Sequence, residues 1–277
     1  MKRLLLFAFS FCLLPSAWCQ LPNYWQQQVN YKIDVTLNDA DNTLDGFVKM
    51  DYHNNSPDTL HFIWIHLWPN AFKNDKTAFT DQDLENGNTD FYFSNADKRG
   101  YINRLDFKVN GEVAKTTDHP QHQDIIKLIL PKPIAPNSSA KIETPFHVKL
   151  PYNFSRGGHM VQAYQITQWY PKPAVYDRKG WHTIPYLDQG EFYAEFGNYE
   201  VQITLPDNYV VAATGDLQNA SEADWLKNKQ PFTRNLKAAK KAEQKKGAGM
   251  SEIPSSAKTK TLQYKQNNVH DFAWFAD

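Results

Sequence analysis

Apolar and polar residues alternate along much of the chain, with the period of two that is typical of half-buried β-strands. The alternation is clear in "YKIDVTL" at 31–37 and resumes after a polar turn in "LDGFVKMDY" at 44–52. Gly46 falls in phase with the second segment, so we interpret it as a bulge or a close backbone contact. Further strands are predicted around residues 105–109, 125–130, 142–150, 199–205, 209–213 and 262–264.

The segment "LHFIWIHL" at 60–67 is apolar on both of its faces. This pattern is typical of a central strand that is covered on each side. His61 and His66 fall on opposite faces, so they cannot form one metal site within this strand. The sequence favours partly buried structural histidines at both positions.

Helical patterns are few: a short stretch near 77–84 and a Lys-rich segment around 225–246. Short strands with Pro, Gly and Asn turns, and without alternating helices, predict an all-β fold, namely an antiparallel β-sandwich. Residues 237–260, "KAAKKAEQKKGAGMSEIPSSAKTK", contain hardly a core residue. We expect a solvent-exposed helical or loop insertion rather than a basic nucleic-acid patch, because no aromatic residues are interleaved with the lysines.

Charge and motifs narrow the possible functions. Lys and Arg number 30 and Asp and Glu number 30, which argues against general attraction to nucleic acid or anionic membranes. The chain has no His-Glu-x-x-His, no Gly-x-Ser-x-Gly and no phosphate-binding Gly loop. His119 and His122 flank Pro120, which disfavours a helix that would aim both imidazoles at one ion. A polar loop without a metal site is therefore predicted there. The sequence as a whole shows no complete catalytic apparatus.

The first 19 residues have the pattern of a signal peptide. Lys2 and Arg3 precede an apolar run that ends before Pro15, and small residues follow it. Cys12 and Cys19 both lie in this segment, so cleavage after Cys19 leaves a chain without thiols. We expect a secreted or periplasmic domain at 20–277 that has no transmembrane segment once the signal is removed.

Residues 164–186, "YQITQWYPKPAVYDRKGWHTIPY", are the most distinctive stretch. Two prolines stiffen the backbone, while Trp169, Tyr170, Tyr176 and Trp181 offer flat apolar faces with hydrogen-bonding edges. A rigid aromatic surface of this kind is suited to lining a cleft. A packed loop that closes one end of a sandwich explains the composition equally well, so both interpretations stay open.

Several segments resemble M1 family zinc aminopeptidases, and secreted bacterial members in particular. They are "HLWPNA" at 66–71, "TQWYP" at 167–171, "YEVQITLPDNYVVAATGDL" at 199–217 and "VHDFAWFAD" at 269–277. They occur in the family's order and span nearly the whole of residues 20–277. The resemblance implies the saddle-like N-terminal β domain of such an enzyme, cut before the catalytic domain. The zinc would then belong to that missing domain, and this chain would hold no cofactor.

The resemblance also implies a role for two residues. Gln168 matches the family's "TQ" glutamine in the substrate cleft, and Tyr170 stands where many relatives have a Glu or Gln that binds the substrate's free α-amino group. A phenol accepts a hydrogen bond but lacks the charge of a Glu. Gln168 and Tyr170 are therefore the candidate binding residues for the N-terminus of a peptide substrate. The alternative is a stand-alone secreted module that binds peptide or glycan through its aromatic surface, and the gene sequence beyond Asp277 would distinguish the two.

Overall fold

The alternating segments are strands in the computed structural model, which describes residues 24–229 and 253–277. The fold is all-β and sandwich-like, as the sequence predicts. The strands are β1 (Gln28–Asn38), β2 (Thr43–Asn54), β3 (Leu60–His66), β4 (Tyr101–Asn103), β5 (Lys108–Val109), β6 (Glu112–Val113), β7 (Lys115–Asp118), β8 (Ile125–Ile134), β9 (Ser138–Lys149), β10 (Gly158–Met160), β11 (Ala163–Ile166), β12 (Lys172–Pro173), β13 (Val175–Asp177), β14 (Gly180–His182), β15 (Gly197–Pro206), β16 (Val211–Ala213), β17 (Asp216–Leu217), β18 (Thr259–Val269) and β19 (Trp274–Ala276).

The largest sheet has the strand order β17-β18-β15-β1-β2-β9-β5-β6, with β4 also paired to β9. One pairing departs from the antiparallel expectation, because β1 and β15 run parallel, with Tyr31 opposite Tyr199. Inward residues such as Ile33 and Val35 are buried while the intervening Asp34 is exposed. The period-two pattern therefore identifies the core face of this sheet correctly.

Two smaller sheets and a hairpin complete the fold. One sheet has the order β12-β3-β8-β7, another has the order β10-β11-β19-β16, and β13 pairs with β14. Buried side chains from the three sheets form one continuous apolar core. A satellite cluster of aromatic residues lies beside it, built on Trp68, Phe72, Phe79, Phe91 and Tyr186.

Gly46 makes a close contact and does not form a bulge. The β2 ladder runs through it without a register shift, and it pairs directly with Phe146 of β9. A Cβ atom built at Gly46 would lie 2.3 Å from the Phe146 ring. Glycine is thus required here because the aromatic ring covers the backbone of the neighbouring strand.

Strand β3 is central in its sheet, between β12 and β8, as expected. His61 is exposed and His66 is fully buried, so the prediction of two partly buried histidines is wrong at both positions. The expectation of full cover on both faces is wrong for the outer face, where Phe62 and Trp64 are only partly buried. Strand β3 therefore presents aromatic rings toward solvent.

The predicted short helix is present as α1 (Ala78–Glu85), and the Thr77 side chain caps it by accepting from the backbone N–H of Thr80. Two 3₁₀ turns occupy Trp68–Phe72 and Ala96–Lys98. Residues 220–229 are helical, which covers the start of the predicted 225–246 segment. The described residues contain no helix with the length and apolar character needed to cross a bilayer.

Two predictions from the sequence fall outside the described residues. The signal peptide at 1–19 lies wholly outside them. Of the predicted insertion at 237–260, residues 237–252 lie outside as well. Its last two residues, Thr259 and Lys260, already belong to β18, so the boundary at 260 is wrong by two positions.

Candidate functional site

The "TQWYP" segment connects β11 to β12, and its Trp169 and Tyr170 side chains are buried in the core. Gln168 has a φ of 48°, a left-handed conformation that is uncommon for residues other than glycine. Next to it, the Trp169 indole N–H donates to the backbone carbonyl of Phe272 at 3.0 Å. The surrounding structure therefore holds the glutamine backbone in a strained conformation, as is frequent at binding sites.

The carboxylate of Asp271 accepts hydrogen bonds from three side chains of this region. Its Oδ1 accepts from Lys172 Nζ at 2.6 Å and from the Tyr170 hydroxyl at 2.9 Å. Its Oδ2 accepts from Gln168 Nε2 at 3.3 Å. We call Gln168, Tyr170, Lys172, Tyr199 and Asp271 the Asp271 cluster.

Two tyrosines extend the cluster into the core. The hydroxyls of Tyr170 and Tyr199 lie 3.0 Å apart. A phenol carries a single O–H proton, so Tyr170 donates to the charged carboxylate of Asp271 and accepts from Tyr199. Burial raises the pKa of both phenols, and the Asp271 carboxylate raises it further. Both tyrosines are therefore neutral donors at physiological pH.

Lys172 is a buried cation, with its side chain 2 % exposed. Its Nζ donates to the backbone carbonyl of His270 at 3.0 Å and lies 5.1 Å from the centre of the Tyr170 ring. Burial lowers the pKa of the Lys172 amine, and the Asp271 carboxylate opposes this effect. The two residues form a buried ion pair whose charges compensate each other.

The side-chain amide of Gln168 is oriented by the carboxylate. An ionised carboxylate only accepts, so the NH₂ end of the amide faces Asp271. The Oε1 atom is then left buried without a hydrogen-bond partner among the described residues. Gln168 also lines a small cleft of about 20 Å³ with Trp68, Trp169 and Tyr186, which is room for roughly one water molecule. The cluster thus presents an unused acceptor beside a cleft.

His66 lies next to the cluster, but its imidazole makes no hydrogen bond to it. It pairs with Lys172 across β3 and β12 and stacks on Trp68 with ring centres 4.6 Å apart. Neither ring nitrogen has a partner among the described residues. Burial, followed by the charge of Lys172, lowers the pKa of His66 to about 3. The imidazole is therefore neutral, and it is more deeply buried than the sequence suggested.

Asp271 brings the two residues selected from the sequence together. Tyr170 is fully buried, whereas Gln168 is partly exposed. Direct contact of Tyr170 with a substrate stays a prediction, and the structure places its hydroxyl between Asp271 and Tyr199. Sequence reasoning missed Lys172 and Asp271 as partners. Their signals were a Lys between two prolines and a single Asp in the largely apolar segment at 269–276.

The aromatic stretch at 164–186 divides into two parts. Trp169 and Tyr170 belong to the core, as expected for a packed loop, while Tyr176 and Trp181 are partly exposed, as expected for a surface. The loop at His119 and His122 is irregular, as predicted, and its two imidazoles stack at 5.0 Å. Within residues 24–229 and 253–277, no group of three or more His, Cys, Asp or Glu side chains is arranged to hold a metal ion.

Fold and site together define an all-β sandwich domain with a buried polar cluster next to a small cleft. The chain is similar to solved M1 zinc metallopeptidases. One is a two-domain enzyme bound to L-arginine, with a TM-score of 0.45 and 11% identity. Another is the enzyme from Deinococcus radiodurans, with a TM-score of 0.45 and 12% identity. A third is the Deinococcus radiodurans enzyme bound to a Tyr-Ser-Ala substrate, with a TM-score of 0.44 and 12% identity.

Each of these matches covers 90% of this chain and 42% of the matched chain, so this chain spans about two fifths of their length. No protein-family model matches the chain. No curated protein matches it either.

Proposed function

We propose that this chain is the non-catalytic N-terminal domain of an M1-like zinc aminopeptidase and forms one wall of its substrate cleft. One observation supports the proposal: the four segments that carry the family resemblance meet in one place. "TQWYP" contributes Gln168 and Tyr170, "YEVQITLP" contributes Tyr199, and "VHDFAWFAD" contributes Asp271. "HLWPNA" contributes Trp68, whose ring centre lies 5.9 Å from Lys172 Nζ.

The Asp271 cluster has the chemistry to recognise a free amino terminus. The unpartnered Oε1 of Gln168 is an acceptor that suits an N–H donor of an α-ammonium group. Asp271 fixes the amide in the orientation that leaves this oxygen free, and Lys172 compensates the carboxylate. In this proposal Gln168 contacts the substrate, and Tyr170 acts by holding the carboxylate that orients Gln168.

The reacting groups would come from outside this chain. No side chains of the described residues fit a zinc site, so no chemical step is assigned to them. Their part is to bind and orient the peptide's amino end, which affects the transition state through position rather than through chemistry. A signal peptide at 1–19 would export the protein to the periplasm or the exterior.

Kinetics on a protein that carries this chain together with the proposed catalytic domain test the proposal. Gln168→Ala should lower kcat/KM for peptides with a free N-terminus about tenfold or more, the scale of one lost hydrogen bond to a charged group. N-blocked peptides and zinc content should be unaffected. Gln202→Ala, on the outward face of β15, is the matched control and should behave as wild type. Equal activity of Gln168→Ala and wild type on free and blocked peptides would refute the cleft-wall role.

A further inference from the structure

A strip of aromatic rings runs along the outer face of the β3 sheet. Neighbouring ring centres are 4.8 to 6.0 Å apart, in the order Trp25, Tyr176, Trp181, Phe62 and Trp64. We call these five residues the aromatic strip. At the Trp64 end, the stacked imidazoles of the His119 loop continue the series at 4.9 Å. The members come from the N-terminal segment, β3 and the β13–β14 hairpin, so the fold assembles the strip from distant parts of the chain.

The aromatic strip differs from the other aromatic residues of the fold. All five side chains are partly exposed, whereas Trp68, Trp169 and Trp274 are buried. Within the strip the ring contacts form a single series, in which each member lies against the next. Partly exposed Trp and Tyr side chains grouped on one surface mark interaction sites. A narrow line of rings suits an extended linear chain better than a broad protein surface, which needs about 800 Å² on each partner.

One end of the strip carries an ammonium group. Lys127 Nζ lies 4.7 Å from the ring centre of Phe62 and 4.6 Å from that of Trp64. Among the described residues, no carboxylate lies within ion-pair distance of it. A ligand that both stacks on these rings and carries an anion would be held by apolar contact and by charge together.

The other end of the strip carries hydrogen-bond acceptors. Asp58 Oδ2 accepts from the Tyr176 hydroxyl at 2.8 Å, and Asp177 pairs with His182 at 2.9 Å. Carboxylates suit ligands that are rich in O–H donors. A Pro-rich peptide offers mainly carbonyl acceptors, and the Tyr176 hydroxyl that would serve one is committed to Asp58.

We propose that the aromatic strip binds a linear acidic polysaccharide, with sugar rings stacked on the aromatic faces and the carboxylate of one uronic acid unit at Lys127. Sugar hydroxyls donate to Asp58 and Asp177 at the other end. The site is separate from the Asp271 cluster, and it does not depend on the chain being part of a peptidase.

Titration of oligogalacturonate into the purified chain, followed by tryptophan fluorescence and calorimetry, tests the proposal. Trp64→Ala and Trp181→Ala should each weaken binding about tenfold, as expected for residues at the centre of a contact. Lys127→Gln should weaken binding of oligogalacturonate and leave weak binding of an uncharged oligosaccharide of equal length unchanged. The matched control is Trp225→Ala, because Trp225 also carries a lysine, Lys260, at 4.0 Å but lies outside the strip. It should bind as wild type.

Each of the following results would overturn the proposal. One is the absence of oligogalacturonate binding at millimolar concentration. Another is equal binding by wild type and Trp64→Ala, with unchanged thermal unfolding showing that the variant is folded. Tighter binding of a polyproline peptide than of the oligosaccharide would assign the strip to peptides. A dimer in solution that Trp64→Ala dissociates would assign it to a second copy of the chain.

Discussion

The buried pair of Lys172 and Asp271 should respond unequally to removal of either partner. Asp271→Asn leaves the Lys172 ammonium, 2 % exposed, without a counterion. Loss of one partner from a buried pair costs about 3 to 5 kcal/mol. Lys172→Met leaves a carboxylate that is 17% exposed and still accepts from Tyr170 and Gln168. That variant should lose only about 1 to 2 kcal/mol.

A double-mutant cycle isolates the interaction. Asp271→Asn combined with Lys172→Met should be more stable than Asp271→Asn alone, with a coupling energy of about 2 kcal/mol. Urea unfolding followed by tryptophan fluorescence measures all four proteins, and equal m-values would show that the unfolded states are comparable.

The pH dependence gives a second measurement of the same variant. In Asp271→Asn the folded Lys172 amine releases its proton more readily than the unfolded one, whose pKa is about 10.4. The folded state then binds fewer protons than the unfolded state, so stability rises with pH below that value. The difference in unfolding free energy between wild type and Asp271→Asn should therefore shrink between pH 7 and pH 10. A deficit that does not change with pH, or a loss no larger than that of Lys172→Met, would refute the ion-pair reasoning.

Three further predictions concern stability. Burial raises the pKa of Glu195 from 4.5 to about 7, so the folded state keeps the proton at a higher pH than the unfolded state does. The stability of wild type therefore falls as pH rises through that range. Glu195→Gln should gain up to about 3 kcal/mol in unfolding free energy relative to wild type between pH 5 and pH 8, as measured by urea unfolding. The pKa of His66 is lowered from 6.5 to about 3, so the unfolding free energy of wild type should fall by about 5 kcal/mol as pH drops through that range. In His66→Phe the unfolding free energy should depend less on pH over the same range. Removal of 268–277, which contains the fully buried Phe272 and Trp274, should lower the unfolding free energy by several kcal/mol, at roughly 1.5 to 3 kcal/mol for each large side chain. Removal of 238–252 should cost far less, because that segment has hardly a large apolar residue. Similar melting temperatures for the two deletions would contradict this.

Local patterns in the sequence predict local structure well in this fold. The alternation at 31–37 and 44–52 identifies β1 and β2 and their buried faces, because side-chain direction in a strand follows directly from residue spacing. Helix α1 coincides with the short helical stretch predicted near 77–84. These features depend on neighbours in sequence, so the sequence alone predicts them.

Features that depend on distant residues were not predictable in the same way. The partners Tyr170 and Asp271 are 101 positions apart, so no local pattern shows that one carboxylate orders the "TQWYP" segment. The split of the aromatic stretch has the same origin, because only the assembled sheets decide that Tyr170 is buried and Trp181 is not. The parallel neighbour of β1 is likewise decided by the whole sheet.

The place of β1 between β2 and β15 has a consequence for the time course of folding. Asn30 and Asn198, at one end of that parallel pairing, are 168 positions apart. The β1–β2 hairpin can form early, but one edge of it has no partner until β15 has been synthesised. Closing so long a loop costs chain entropy before the pairing of β1 with β15 contributes any stabilising free energy. Folds dominated by such long-range contacts form slowly. We therefore expect cooperative folding late in synthesis, with an early intermediate that exposes a strand edge and is prone to aggregate.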